Sequence, residues 1–90
     1  MKIISEGAFL ARVRRRMAQD GNRLYVSRLS GYVPHRYCEL DHRDHCVGAW
    51  SCFGELLRAW SDEDSVLAPG EAVAGWESVT SAQNDQAEAA

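Results

Sequence analysis

The sequence predicts a small α+β domain with the order helix, three strands, helix, in which a three-stranded antiparallel sheet carries both helices on one face. Two segments with the period of an amphipathic helix, residues 5–20 and 52–61, flank residues 23–50, whose apolar positions alternate with the period of a strand. Turn chemistry separates the segments: Asp20-Gly21-Asn22, Ser30-Gly31 with Pro34, and His42-Arg43-Asp44. Each helix has one apolar stripe and the sheet one apolar face, so stacking both helices on that face buries all three together.

The first helix starts at Ser5, which can cap it, has Glu6 near the positive end of its dipole, and stops at Gly21. Leu10, Val13 and Met17 fall on one stripe with Phe9 beside it, and Arg15 lies opposite with Arg12 close by. Arg14 and Arg16 sit on the flanks, where their stems cover apolar surface. Residues 23–29 form the first strand, with Leu24 and Val26 inward. Tyr32-Val33-Pro34-His35 reads as a loop, because Pro34 removes a ladder donor. In the second strand, residues 36–41, Cys38 and Leu40 are taken as the core pair, which leaves Tyr37, Glu39 and Asp41 with Tyr25 on the other face. Residues 45–50 form the third strand, pairing antiparallel with the second. Ser51 or Cys52 opens the last helix, where Phe53, Leu56, Leu57 and Trp60 stand at i, i+3, i+4 and i+7.

Ninety residues allow one domain, which buries only about 60% of the surface its unfolded chain exposes and has little room for a deep enclosed site. Pro69-Gly70 marks the boundary: residues 1–70 are the domain, and residues 71–90, with only Val73, Trp76 and Val79 as apolar anchors, read as an acidic flexible tail. No apolar run approaches a bilayer span, and Met1-Lys2-Ile3-Ile4-Ser5-Glu6 lacks a secretory pattern, so a cytoplasmic protein without a membrane partner is expected. Three cysteines in a reducing compartment are expected as thiols.

Charge is unevenly spread. Residues 1–46 carry nine Lys and Arg against five Asp and Glu, whereas residues 47–90 carry one against eight. Three candidate chemistries follow. The acidic group Glu55, Asp62, Glu63 and Asp64 can meet basic residues of a protein partner. Arg12, Arg15, Arg16 and Arg23 can contact phosphates of a nucleic acid. His35, Cys38, His42 and His45, with Cys46 and Cys52 nearby, supply donor types that zinc accepts, but with no Cys-x-x-Cys and no paired His-x-x-x-His among them. No Gly-rich phosphate cradle and no Gly-x-Ser-x-Gly elbow occurs, so neither catalysis nor a cofactor is expected.

The helix-strand-helix order, with Pro34-His35 in the loop, is similar to that of double-stranded RNA-binding domains. Those domains begin their last helix with a lysine cluster, and here that position reads Cys52-Phe53-Gly54-Glu55, whose carboxylate repels a phosphate backbone. A second resemblance spans residues 15–60: Arg15-Arg16-Met17-Ala18-x-Asp20-Gly21-x-x-Leu24, Ser27-Arg28, Tyr37-x-x-Leu40-Asp41, Val47-x-Ala49 and Phe53-x-x-Leu56-x-Arg58-x-Trp60. This pattern resembles a group of small proteins from bacteriophages and mobile elements of gammaproteobacteria. That group runs from its last helix into Gly-Val-Leu, where this chain inserts Asp62-Glu63-Asp64-Ser65 before Val66-Leu67. In size and style the chain is similar to anti-CRISPR proteins. The resemblance implies an accessory protein that inhibits by protein–protein contact, its partner a host CRISPR-Cas or other nucleic-acid-handling complex. The alternatives are a nucleic-acid binder and a small zinc module.

Overall fold

A computed structural model describes residues 2–62 and 66–78, except for the side chain of Asp62. It is a small α+β fold: strand β1 (Lys2–Ile4), helix α1 (Glu6–Gln19), strands β2 (Arg23–Val26), β3 (Tyr37–Leu40) and β4 (Cys46–Trp50), helix α2 (Phe53–Asp62) and strand β5 (Glu71–Val73). β2, β3 and β4 form a three-stranded antiparallel meander, and β1 and β5 form a separate parallel pair.

Local chemistry sets the ends of α1. Ser5 Oγ accepts the Ala8 N–H at 3.0 Å, satisfying one of the free donors of the first turn. At the other end the Gly21 N–H donates to Ala18 O and the Asn22 N–H to Met17 O, the pair of bonds that defines a Schellman stop. That stop needs a left-handed residue, and Gly21 supplies it with φ of 77°. Phe9, Val13 and Met17 at i, i+4 and i+8 are fully buried, while Leu10 packs only partly against the core. Full burial of such side chains contributes about 1.5–3 kcal/mol each. In α2, Leu56 and Leu57 are fully buried and Phe53 and Trp60 nearly so.

Phe53 is the hub of the aromatic packing. It meets Phe9 edge-on at 5.7 Å between ring centroids, Tyr37 at 6.4 Å and Trp76 at 5.3 Å. Trp76 also lies over Gly54, where a Cβ would come within 3.1 Å of its ring, so Gly54 makes room for that contact.

Two expectations are corrected. The first concerns the sheet faces. Val26 pairs with Tyr37 and Tyr37 with Trp50, and all three pack against the core cluster, so Tyr37 faces the helices. Tyr25, Cys38 and Ala49 form the next row, and alternation turns them, with Leu40, to the open side. Cys38 is buried there without joining the core cluster. Packing area decides the parity: Tyr37 and Trp50 bring far more apolar surface to the helices than Cys38 and Ala49 would.

The second correction concerns the boundary at residue 70. Glu71, Ala72 and Val73 are buried, pair with Lys2, Ile3 and Ile4, and are followed by Trp76 against Phe53. Ala74 N–H continues the ladder to Ile4 O at 2.8 Å. The stretch from Glu71 to Trp76 is therefore part of the domain, and residues 79–90 of the expected tail lie outside the described residues.

Candidate functional site

The four arginines proposed for phosphate contact fare differently. Arg12 grips Glu71 with both guanidinium nitrogens, Nη1 to Oε1 at 2.7 Å and Nη2 to Oε2 at 3.1 Å, and Nη1 also donates to Val66 O at 3.0 Å. Glu71 Oε1 accepts the Ala68 N–H at 2.7 Å as well. The Arg12 guanidinium, followed by that main-chain donor, holds the Glu71 carboxyl down at about 2, and Glu71 in turn raises the Arg12 pKa. Arg16 pairs with Asp20 at 3.0 Å, and Arg23 pairs with Asp44 across the mouth of the meander. Among the described residues Arg15 alone of the four carries no ion pair, and it is exposed. The charge asymmetry of the sequence is thus partly cancelled inside the molecule, most directly where Arg12 of the basic half meets Glu71 of the acidic half.

Of the acidic candidates, Glu55 has a local task. It sits in the first turn of α2 and its Oε2 accepts the Ser51 N–H at 2.9 Å, which lowers its pKa and steadies the helix start. The side chain of Asp62, and Glu63 and Asp64 entirely, lie outside the described residues.

The histidines and cysteines do not gather into one site. Among the described residues no group of three or more His, Cys, Asp or Glu side chains is placed to hold a metal ion. His35, His42 and His45 are exposed, as are Cys46 and Cys52. His35 reaches Cys38 through its carbonyl, which accepts the thiol hydrogen at 3.2 Å. His45 Nδ1 stands 3.9 Å from Asp41 Oδ2. Asp41 organises the turn: its Oδ1 accepts the N–H groups of Arg43 and His45 at 2.8 and 2.9 Å, and its carboxyl pKa is lowered by the His45 N–H first. Asp44 closes this turn in the left-handed region with φ of 64°.

What the charge reading passes over is apolar. Of the five large hydrophobic side chains that stay exposed among the described residues, four belong to the meander and its first loop: Tyr25, Leu29, Tyr32 and Val47. The loop presenting Leu29 and Tyr32 is built rather than slack. Arg36 donates to the carbonyls of Leu29, at 2.9 Å, and Gly31, while Ser27 Oγ accepts the Leu29 N–H at 3.2 Å and the Ser27 N–H reaches Arg36 O at 2.7 Å. Tyr32 is 82% and Leu29 68% exposed, a costly display for a small domain with apolar surface to bury. Val47 is open because it is the extra residue of a β-bulge: Glu39 pairs with Gly48 but Leu40 with Cys46.

No helix among the described residues is long and apolar enough to cross a membrane. No protein-family model, no curated protein and no solved structure matches this chain.

Proposed function

We propose that this chain is a recognition protein that works by protein–protein contact through the open face of its meander and the adjoining loop. The observation that carries the reading is exposed apolar surface: Tyr25 on the face of the sheet turned away from the helices and Leu29 and Tyr32 in the loop that follows β2, with Val47 exposed at the far end of the strands. Aromatic side chains are favoured anchors at protein interfaces, since they bury large area at small entropic cost. The arginines support a nucleic-acid role less well, because Arg12, Arg16 and Arg23 are already engaged by carboxylates. The partner we favour is a component of a nucleic-acid-handling complex of a bacterial host, a CRISPR-Cas assembly being the first to try. Any acidic contribution from Asp62, Glu63 and Asp64 is auxiliary in this reading.

The test is a comparison of variants. A protein captured from a CRISPR-bearing host lysate is purified and its affinity measured for the wild type, for Tyr25→Ser with Tyr32→Ser, and for Asp62, Glu63 and Asp64 changed to Lys. Losing an aromatic anchor costs about 2 kcal/mol or more at an interface, so the tyrosine variant should bind at least roughly thirtyfold more weakly. The lysine variant should associate more slowly yet still bind. Unchanged affinity in the tyrosine variant refutes the surface. Retardation of DNA or RNA at low salt that vanishes in Arg15→Ala points to a nucleic-acid role instead.

A further inference from the structure

Two of the three thiols share the open face of the meander. Cys46 lies opposite Leu40, and Cys38 is two residues along β3 from Leu40, so the cysteines are diagonal neighbours on adjacent strands. Val47, the extra residue of the bulge, follows Cys46 directly, and a bulge bends its strand and sharpens the local twist. Cys46 is exposed and Cys38 is buried. Each thiol hydrogen goes to a main-chain carbonyl, Cys38 to His35 O at 3.2 Å and Cys46 to Gly48 O at 3.3 Å. The two sulfurs also sense each other: burial pushes the Cys38 thiol pKa up, and the Cys46 thiol beside it adds to the rise.

We propose that Cys38 and Cys46 are a peroxide-responsive thiol pair, closing into a reversible disulfide across β3 and β4. The exposed Cys46 reacts first. Its thiolate sulfur attacks one oxygen of a hydroperoxide, the O–O bond breaks, hydroxide leaves, and Cys46 becomes a sulfenic acid. The Cys38 thiolate then attacks the Cys46 sulfur; the S–S bond forms, the S–O bond breaks, and the departing hydroxide takes a proton to become water. In sum two thiols lose two electrons and two protons, and one hydrogen peroxide is reduced to two waters.

Division of labour follows from burial. Cys46 meets the oxidant, whereas Cys38 is shielded and waits as the resolving group. A raised Cys38 pKa leaves less of its thiolate as pH falls and so slows resolution. Diagonal neighbours in a regular sheet stand about 7–8 Å apart, at or beyond the span a relaxed disulfide prefers. Closure therefore draws on the give of the bulge, and the bond that results is strained and easily reduced, which suits a switch better than a staple. It would cross the proposed docking face beside Tyr25 and Leu40, but the thiol chemistry stands whether or not a partner docks there.

The experiment uses the full chain with Cys52→Ser, treated with hydrogen peroxide in the folded state and in urea. The expected product is a monomer lighter by two hydrogens, with tryptic peptides Tyr37–Arg43 and Asp44–Arg58 linked and released again by dithiothreitol. Closure should run several-fold faster in the folded chain than in urea. Accumulation of Cys46 sulfinic acid or of a linked dimer, with Cys38 still open to alkylation after unfolding, would overturn the proposal. Equal rates in the folded and unfolded chain would overturn it too, since the fold would then contribute nothing.

Discussion

Arg12–Glu71 and Arg23–Asp44 are both guanidinium–carboxylate pairs, placed in two different regions, and they do different things. Arg12 and Glu71 are 27% and 8% exposed, bidentate, and supported by the Val66 carbonyl and the Ala68 N–H. Arg23 and Asp44 are 58% and 69% exposed and touch at the rim of the meander. The first pair clasps the start of β5 to α1, beside the β1–β5 ladder; the second stands in water, where an ion pair is worth about 0–1 kcal/mol. The contrast extends beyond charge. Phe9, Phe53 and Trp76 are in contact within the core, whereas Tyr25 on the sheet and Leu29 and Tyr32 in the loop after β2 stay open. Burial and the completeness of hydrogen bonding, rather than residue type, separate the side chains that hold the fold from those available to a partner.

The sharpest way to break this comparison is to cut into the core. A chain ending at Gly70 loses β5, the carboxylate that Arg12 holds and the Trp76 cover over Phe53. We expect loss of cooperative unfolding and of near-ultraviolet circular dichroism. A native-like melt would show that the β1–β5 pair is dispensable.

Point substitutions probe the same division on a smaller scale. Phe9→Ala opens a cavity in the core and should cost about 3–5 kcal/mol in urea denaturation. Tyr32→Ala removes a larger side chain from the open loop and should change stability by no more than about 0.5 kcal/mol. Comparable losses from the two would erase the distinction.

Acid sensitivity follows from Glu71. Its carboxyl titrates at about 2 in the fold against 4.5 unperturbed, so on acidification the unfolded chain takes up the proton first. The stabilisation is present above pH 4.5 and is lost as pH falls from there toward about 2. Asp41 and Glu55, also lowered, add to the slope in the same direction. Urea midpoints measured from neutral to acidic pH should fall for the wild type, and Glu71→Gln should start lower and fall less. Parallel curves would mean that Arg12 does not hold a charged Glu71.

The helices were legible in the residues because their signals are local. Ser5, Gly21 and the spacing of Phe53, Leu56, Leu57 and Trp60 each act within a turn or two. The open side of the sheet was harder, since alternation fixes which residues share a face but not which face is covered. Alternation in β3 is satisfied equally with Cys38 or with Tyr37 inward, and the bulge at Val47 shifts Cys46 relative to Ala49, which no simple alternation reveals. β1 and β5, at three residues each, are too short to show a period, and each pairs with a segment 69 positions away. Arg12 and Glu71 are 59 positions apart, so the reading that left Arg12 free for phosphate had no local cue against it. Glu55 did have one: an acid in the first turn of a helix reads as a cap before it reads as a contact.

The measurement that tests this division most directly is a pair of double-mutant cycles, Arg12 with Glu71 and Arg23 with Asp44, each residue changed to Ala singly and together. A coupling of about 1.5–3 kcal/mol is expected for the first pair, the range for hydrogen bonds to charged groups, and no more than about 1 kcal/mol for the second. Equal couplings, or a larger one at Arg23 and Asp44, would contradict that division.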